Sequence, residues 1–282
     1  MPETTELTGR VAAVTGGGSG LGAAMCRVFA GAGMAVAALD IDADAADATA
    51  RELRATFSVP AHSVAVDVGD RASLHEAAAG VRAALGGCDV VCANVGVQQF
   101  GAIDRLTDDD WTWVVNVNVL GTIRTVEAFL PLLRERVGFR RILLTASSGA
   151  LLPAARLGAY QTSKFAVVGY GETLRRELEA EGIGVTLLFP AGMITHHLAS
   201  SARARPAEKG EWVLMPDDIE VMMASANLGA GDVATPDHAV RNLLADLIAD
   251  QPYVVTHGGY RAAYHERLAG IEQAFDRMER SG

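Results

Sequence analysis

Lysine is almost missing from this chain. Lys164 and Lys209 are the only two, against twenty-two arginines, so neither reads as one more member of a solvated charged surface. Cysteine is scarce as well: Cys26, Cys88 and Cys92 form an odd set of three in 282 residues, each inside an apolar stretch. That excludes a disulfide-stapled scaffold and predicts buried thiols in a reducing, cytoplasmic setting. No basic run occurs and the formal charge is −10, which excludes a surface that tracks nucleic-acid phosphates. No apolar run reaches membrane-span length, and residues 1–6 are acidic where a secretory leader would be basic and then apolar. The expectation is a soluble cytoplasmic protein with neither a nucleic-acid nor a membrane partner. An anionic ligand would have to be held by backbone amides and a few local charges.

Half of the residues are apolar, enough at this length to bury one substantial core, and residues 1–282 read as a single domain. Apolar runs of strand length recur at 11–15, 35–40, 63–67, 90–93, 142–145, 185–189 and 253–256, separated by helix-length segments rich in Ala, Leu, Glu and Arg. Continuous apolar strands alternating with helices predict an α/β fold, a doubly wound Rossmann-type parallel sheet with helices on both faces. Ligands of such a sheet bind beyond the carboxyl ends of its strands. Residues 107–136 are long for one helix, and Thr107-Asp108-Asp109-Asp110 supplies its start. A second helix is expected over 160–181. The alternation fails from His196 to Pro236, so about 193–235 reads as an irregular lid beside the site. Over about 260–280 the spacing of Tyr264, Leu268, Ile271, Phe275 and Met278 predicts a terminal helix, its apolar stripe packed on the core or on a second subunit.

Two constellations carry chemistry. Thr15-Gly16-Gly17-Gly18-Ser19-Gly20-Leu21-Gly22 lies between the first strand and the first helix. There the missing side chains let backbone approach a pyrophosphate, and the helix N-terminus faces its charge. Asp40 ends the second strand, where a carboxylate accepts from both hydroxyls of an adenine ribose and repels a 2′-phosphate; Ile41 follows it, and the glycine turn holds no arginine. The combination predicts NAD over NADP. The second constellation is Tyr160-Gln161-Thr162-Ser163-Lys164, thirteen residues after Ser147. A four-residue step returns to one helix face, so phenol and ammonium point into one site and the cation favours the phenolate. A phenol tuned in this way exchanges a proton with an alcohol or carbonyl near neutral pH. His196-His197 lacks Cys or carboxylate partners at ligand spacing, and adjacent side chains diverge, so no metal site is expected.

Together these motifs resemble the short-chain dehydrogenase/reductase family, from about Leu7 to Thr195. The family's glycine pattern matches Thr15, Gly16, Gly20 and Gly22, and its Asp-Val pair matches Asp67-Val68. Its Asn-Asn-Ala-Gly turn is present, altered, as Ala93-Asn94-Val95-Gly96, and its Asn-x-x-Gly as Asn118-Val119-Leu120-Gly121. Its Pro-Gly stretch corresponds to Pro190-Ala191-Gly192-Met193-Ile194-Thr195, with Ala191 where Gly is usual. The resemblance implies a catalytic tetrad of Asn118, Ser147, Tyr160 and Lys164. In it Tyr160 is the acid/base, and Lys164 lowers its pKa and binds the nicotinamide ribose. Ser147 donates to the substrate oxygen, and Asn118 anchors a water leading from Lys164 to solvent. Ser148 and Asn116 are adjacent alternatives that the spacings to Tyr160 and Gly121 disfavour. For NAD, the glycine turn offers Gly16, Ser19, Gly20, Leu21 and Gly22, and the second strand offers Asp40 and Ile41. The resemblance adds Asp67 and Val68 flanking the adenine, Asn94 and Gly96 on the adenosine ribose side, and Pro190, Gly192 and Thr195, the last at the nicotinamide amide.

The expected reaction interconverts a secondary alcohol and a ketone by hydride transfer. Arg205-Pro206-Ala207 and Pro252-Tyr253-Val254-Val255 are similar to stretches of the Cα-dehydrogenases that oxidise benzylic alcohols of lignin-derived aryl ethers. Met193, Trp212, Leu214, Met215, Met222 and Met223 place thioethers and an aromatic ring in and beside the lid, which suits a bulky apolar or aromatic substrate. One alternative is a catalytically silent dinucleotide-binding regulator on the same fold, disfavoured by the intact Tyr160 and Lys164. Another is a dehalogenase-like relative, disfavoured by Lys164 and the intact glycines. The resemblance also implies a homodimer or homotetramer joined through the helices that carry Asn118 and Tyr160.

Overall fold

Strands with no polar face must be covered on both sides, and the chain alternates such strands with amphipathic helices. The computed structural model describes residues 7–193, 197–210, 215–225 and 233–280. The first half runs β1 (Val11–Thr15), α1 (Gly20–Gly31), β2 (Ala35–Asp40), α2 (Ala43–Phe57), β3 (Ala61–Ala65), α3 (Arg71–Leu85) and β4 (Val90–Ala93). Then follow α4 (Asp108–Val115), α5 (Gly121–Arg134), β5 (Arg141–Thr145), α6 (Gly158–Leu178), β6 (Gly184–Phe189) and β7 (Gly192–Met193). The remainder comprises α7 (His197–Ala204), α8 (Pro216–Ser225), β8 (Val233–Ala234), α9 (Pro236–Ala239), α10 (Leu243–Ile248), β9 (Tyr253–Val255) and α11 (Arg261–Arg280).

Seven strands form one parallel sheet in the order β3-β2-β1-β4-β5-β6-β9. This is the doubly wound topology expected from the sequence. Side chains alternate between its faces. Ala13, Ala37, Val91, Ile142 and Leu144 pack with Phe129 and Leu133 of α5 on one side. Ala12, Val14, Val36, Ala38 and Leu143 pack with Met25 and Phe29 of α1 on the other. All of these are fully buried, and each of the larger ones contributes about 1.5–3 kcal/mol. Strand order reverses between β1 and β4, so a crevice opens beyond their carboxyl ends. All three cysteines are free and buried, and burial pushes the Cys26 thiol up to about 12.

Several boundaries move. The third strand lies two residues earlier than 63–67, because Ala61 to Ala65 is the stretch that pairs with Val36 to Asp40. The helix expected over 107–136 opens with a capping box between Thr107 and Asp110 and is broken by a π-helical turn, Asn116–Leu120, before α5. The helix expected over 160–181 is α6, closed by a 3-10 turn at Glu179–Glu181. The region from His196 to Pro236 departs most from expectation: its described parts are α7, α8 and a parallel pairing of β7 with β8. Pro216 at the first position with Asp217 and Asp218 in the first turn is a helix start. Trp212 and Leu214 lie outside the described residues.

The terminal helix α11 forms as expected, with Tyr264 and Leu268 of its stripe half-buried and the rest of the stripe uncovered by this chain. None of its residues is fully buried, and Ile271, Phe275 and Met278 are 46, 55 and 62% exposed. Among the described residues no helix is long and apolar enough to cross a membrane.

Candidate active site

The glycine turn is shaped by contacts that side chains would break. A Cβ on Gly22 would lie 2.0 Å from the Gly16 carbonyl oxygen, and Gly16 itself has φ +68°. The first turn of α1 therefore sits directly on the end of β1. Leu21 sends its side chain into the core, so its contribution to the turn is its amide, while Ser19 is exposed. Asp40 closes the turn from β2: Oδ2 accepts from the Gly18 amide at 2.9 Å and Oδ1 from the Asp42 amide at 3.1 Å. The carboxylate expected to receive a ribose thus also braces the glycines, and each oxygen keeps a further lone pair. Ile41 is 60% exposed beside it.

The carboxyl ends of β1, β4 and β5 are wired together. Thr15 Oγ1 donates to the Cys92 carbonyl at 3.1 Å and accepts from the Asn94 amide at 2.9 Å. The Asn94 side chain donates to the Thr15 carbonyl at 3.1 Å and accepts from Thr145 Oγ1 at 3.0 Å. Asp67 accepts from the Gly69 amide through Oδ1 at 2.8 Å, and Val68 is buried. Gly121 is explained by Val68: a Cβ there would come within 2.8 Å of Val68 Cγ2.

Asn118 lies in the π-helical turn and is fully buried. Its Oδ1 accepts from the Val97 amide at 2.8 Å, and its Nδ2 donates to the Val97 carbonyl and to Ser163 Oγ, both at 2.9 Å. Ser163 in turn donates to the Tyr160 carbonyl at 2.5 Å. The side chain expected to hold a water thus fixes the backbone on either side of the site. Gly96 is the point where the helices meet the turn, since a Cβ there would lie 3.1 Å from Lys164 Nζ and 3.6 Å from Asn118 Oδ1.

Tyr160, Lys164 and Ser147 converge. Ser147 caps a short 3-10 turn, accepting from the Gly149 amide at 3.1 Å, and its hydroxyl stands beside the Tyr160 phenol, where it offsets the rise that burial gives the phenol's pKa. Ser148 instead gives its amide to the Pro190 carbonyl at 2.8 Å. Lys164 is 3% exposed; it donates to the Thr145 carbonyl at 2.8 Å and stands 5.7 Å from the centre of the Tyr160 ring. The electrostatics differ from the expected ones. Burial raises the Tyr160 pKa, and the groups that offset it are the hydrogen bonds of Ser147 and Gln98. The Lys164 ammonium is directed at a carbonyl rather than at the phenol, and burial pushes its own pKa down to about 8. Gln98 was not visible as a site residue in the sequence; the one signal is a polar pair, Gln98-Gln99, breaking the apolar run after β4.

On the far side, Gly192 pairs with Val233, and its carbonyl is 2.7 Å from His257 Nε2. Thr195 lies outside the described residues. His197 opens helix α7: burial first and the Lys164 charge second push its pKa down to about 4, so it is neutral at pH 7. No cluster of three potential metal-ligating side chains occurs among the described residues. The lid is pinned by two acids. Asp110 meets Arg205 at 2.8 Å, and fully buried Asp218 meets Arg105 and Arg156 at 2.5 and 3.1 Å. Of the apolar lid residues, Met215 and Met223 are exposed.

Known proteins of similar sequence and fold include dehydrogenases. A family model described as short chain dehydrogenase matches residues 10–206. A Cα-dehydrogenase from a Sphingobium strain is 34% identical over 206 residues, covering 73% of this chain and 67% of that protein. D-threitol dehydrogenase from Mycolicibacterium smegmatis is 32% identical, covering 89% of this chain and 95% of its own length. The crystal structure of a short-chain dehydrogenase/reductase from Burkholderia phymatum in complex with NAD superposes with a TM-score of 0.86 at 29% identity, over 95% of this chain and 96% of that one. A glycine turn locked under α1, a Tyr-Ser-Lys convergence at the strand ends and a family match over more than half its length place this chain in the short-chain dehydrogenase family of oxidoreductases.

Proposed function

We propose that the protein is an NAD-dependent dehydrogenase that interconverts a secondary alcohol and a ketone, with Tyr160 as the proton-transfer group. The observation that carries this reading is the buried phenol of Tyr160 in contact with Ser147, one helical turn from Lys164 and across the strand ends from the glycine turn. The cofactor cradle fits a dinucleotide, because a Cβ at Gly22 would strike the Gly16 carbonyl and Asp40 stands at the end of β2. A carboxylate there favours a free 2′-hydroxyl, hence NAD rather than NADP. Bound nicotinamide supplies the hydride acceptor.

The chain's own residues do the rest. Ser147 orients the carbinol oxygen, and Tyr160 takes its proton as the carbon is oxidised or returns it in reduction. Lys164 holds the nicotinamide ribose through its ammonium, which is charged below about pH 8. The neutral His197 and the docked lid keep bulk water from the reacting centre. Gly16, Ser19, Gly20, Leu21, Gly22, Asp67, Val68, Asn94, Gly96, Pro190, Gly192 and Thr195 hold the remainder of the dinucleotide.

The favoured substrate is a bulky apolar or aromatic secondary alcohol. Met193 packs against the core beside Gly192, and an apolar lid leaves a polyol's extra hydroxyls without partners, at about 1–3 kcal/mol for each. Buried free thiols agree with a cytoplasmic setting, and assembly as a homodimer or homotetramer belongs to the same proposal. The test is a panel of secondary alcohols with NAD and with NADP, read by reduced-cofactor absorbance. Higher kcat/KM for 1-phenylethanol than for glycerol or threitol, with NAD preferred, is expected. A preference for small polyols, or for NADP, overturns the corresponding part.

A further inference from the structure

Three residues other than glycine take a positive φ among the described residues: Ser58, Asp250 and Arg156. Ser58 caps the end of α2 and Asp250 follows the end of α10, where the left-handed conformation is usual. Arg156, at φ +68°, closes no helix, and its side chain is too long for the local bonds that let Asn or Asp adopt this conformation. It lies four residues before Tyr160, in the loop that runs from Ser147 to α6. Both ends of the lid helix α8 hold that loop. Arg156 reaches the first turn of α8, meeting buried Asp218 at 3.1 Å and exposed Asp217 at 3.3 Å. The Ala155 amide donates to Oγ of Ser225, the last residue of α8, at 2.9 Å. Asp218 and Ser225 are two helical turns apart and so share one face, which is the face laid along the loop.

We propose that Arg156 is a positioning residue through which docking of α8 fixes the catalytic loop, so that the geometry at Tyr160 is complete only while the lid is docked. This rests on the reading of Tyr160 given above. A strained backbone persists only where its surroundings over-determine it, and here the surroundings are α8 on one side and the start of α6 on the other. The Arg156 carbonyl accepts from the Gly101 amide at 3.0 Å, and the next carbonyl, of Leu157, accepts from the Gln161 amide at 2.8 Å. The Gln161 side chain returns to the loop, accepting from the Ala154 amide at 3.0 Å and donating to the Leu152 carbonyl at 3.3 Å. Gln161 is buried and adjoins Tyr160 in the chain. When α8 leaves, Arg156 loses the ion pairs that offset its conformation, and its relaxation shifts residues 152–155 against Gln161 and therefore against the phenol. Closure of the lid is in this way linked to the position of the proton-transfer group, through residues that touch neither substrate nor cofactor.

Two substitutions separate the backbone from the ion pair. Arg156→Ala removes the guanidinium and leaves the left-handed position strained, whereas Arg156→Gly removes the guanidinium and the strain together. With 1-phenylethanol, Arg156→Ala should lower kcat by about tenfold while NADH affinity stays within about threefold, since about 1 Å of misplacement costs up to about 100-fold in rate. Arg156→Gly should exceed Arg156→Ala in kcat by about fivefold, because glycine takes the required conformation freely. An ion pair that only pins the lid predicts the same loss in both variants; that result, or an Arg156→Ala kcat equal to that of the wild type, overturns the proposal. If Arg156→Ala does not bind NADH, Arg156→Gln makes the same comparison with glycine. Independently of any substrate, hydrogen exchange at the Ala155 amide should quicken by about tenfold in Asp218→Asn, and unchanged exchange there overturns the clasp. A wild type that oxidises no secondary alcohol overturns the reading of Tyr160 instead, and the exchange measurement then decides the clasp alone.

Discussion

A single oxygen separates Tyr160 from phenylalanine, and it is the atom on which the proposed chemistry turns. Tyr160→Phe should lower kcat by about 100-fold or more while NADH affinity stays within about threefold; retention of more than a few per cent of kcat would contradict the assignment. Lys164→Ala should damage both quantities, since one ammonium serves ribose and proton transfer. Lys164 also predicts a pH dependence with opposite signs in two measurements. Its pKa falls from the usual 10.5 to about 8 through burial. The ammonium is charged below that value, so NADH affinity should weaken as pH rises through about 8. The unfolded chain, however, binds the extra proton between about 8 and 10.5, so the contribution of Lys164 to folding stability should rise over that window, by on the order of 3 kcal/mol. Comparing wild type with Lys164→Met isolates both trends. The tetrad and glycines were legible because their chemistry is written in local spacing. Gln98 was not, because its backbone is held from Ser201, 103 residues away.

Elements of the sheet were legible for an equally local reason. A strand buried on both faces is a continuous apolar run, and seven such runs became the seven strands. The π-helical turn left no such trace: Asn118 and Gly121 fit an ordinary helix by sequence, and the turn follows from Gly121 seating on Val68 and Asn118 pairing with Val97. The lid helices are not legible in the sequence although Pro216-Asp217-Asp218 is a start signal, because Pro206, Gly210 and Pro216 interrupt any regular apolar spacing there. Their docking is testable at Asp218, buried between Arg105 and Arg156. Asp218→Asn leaves Arg105 without its counter-charge and leaves Arg156 only the exposed Asp217, and should cost about 1–3 kcal/mol in urea unfolding, less than a fully buried pair because the arginines are partly exposed. The neighbouring Asp217, which is exposed, should change stability by under about 0.5 kcal/mol when made Asn. Equal losses at the two positions would show that the buried acid does not pin α8.

At the scale of the whole molecule, a surface with net charge −10 carries apolar side chains that the single chain leaves uncovered. Ile271, Phe275 and Met278 on α11, and Tyr253 and Val255 on the edge strand β9, are all about half exposed or more. Exposed apolar groups that recur along one element mark association surfaces, so sedimentation velocity should return a dimer or tetramer; a monomer at micromolar concentration would contradict the assembly proposed. Periodicity announced the stripe on α11, but not its partner, because packing on the core and packing on a second copy demand the same spacing. The central claim, that this fold carries a carbinol hydride to NAD, is tested most directly by isotope transfer. With 1-phenylethanol or 1-phenyl-1,2-ethanediol deuterated at the carbinol carbon, NADH recovered from the reaction should carry one deuterium by mass spectrometry. NADH without the label, or no NADH from either alcohol, would contradict the account.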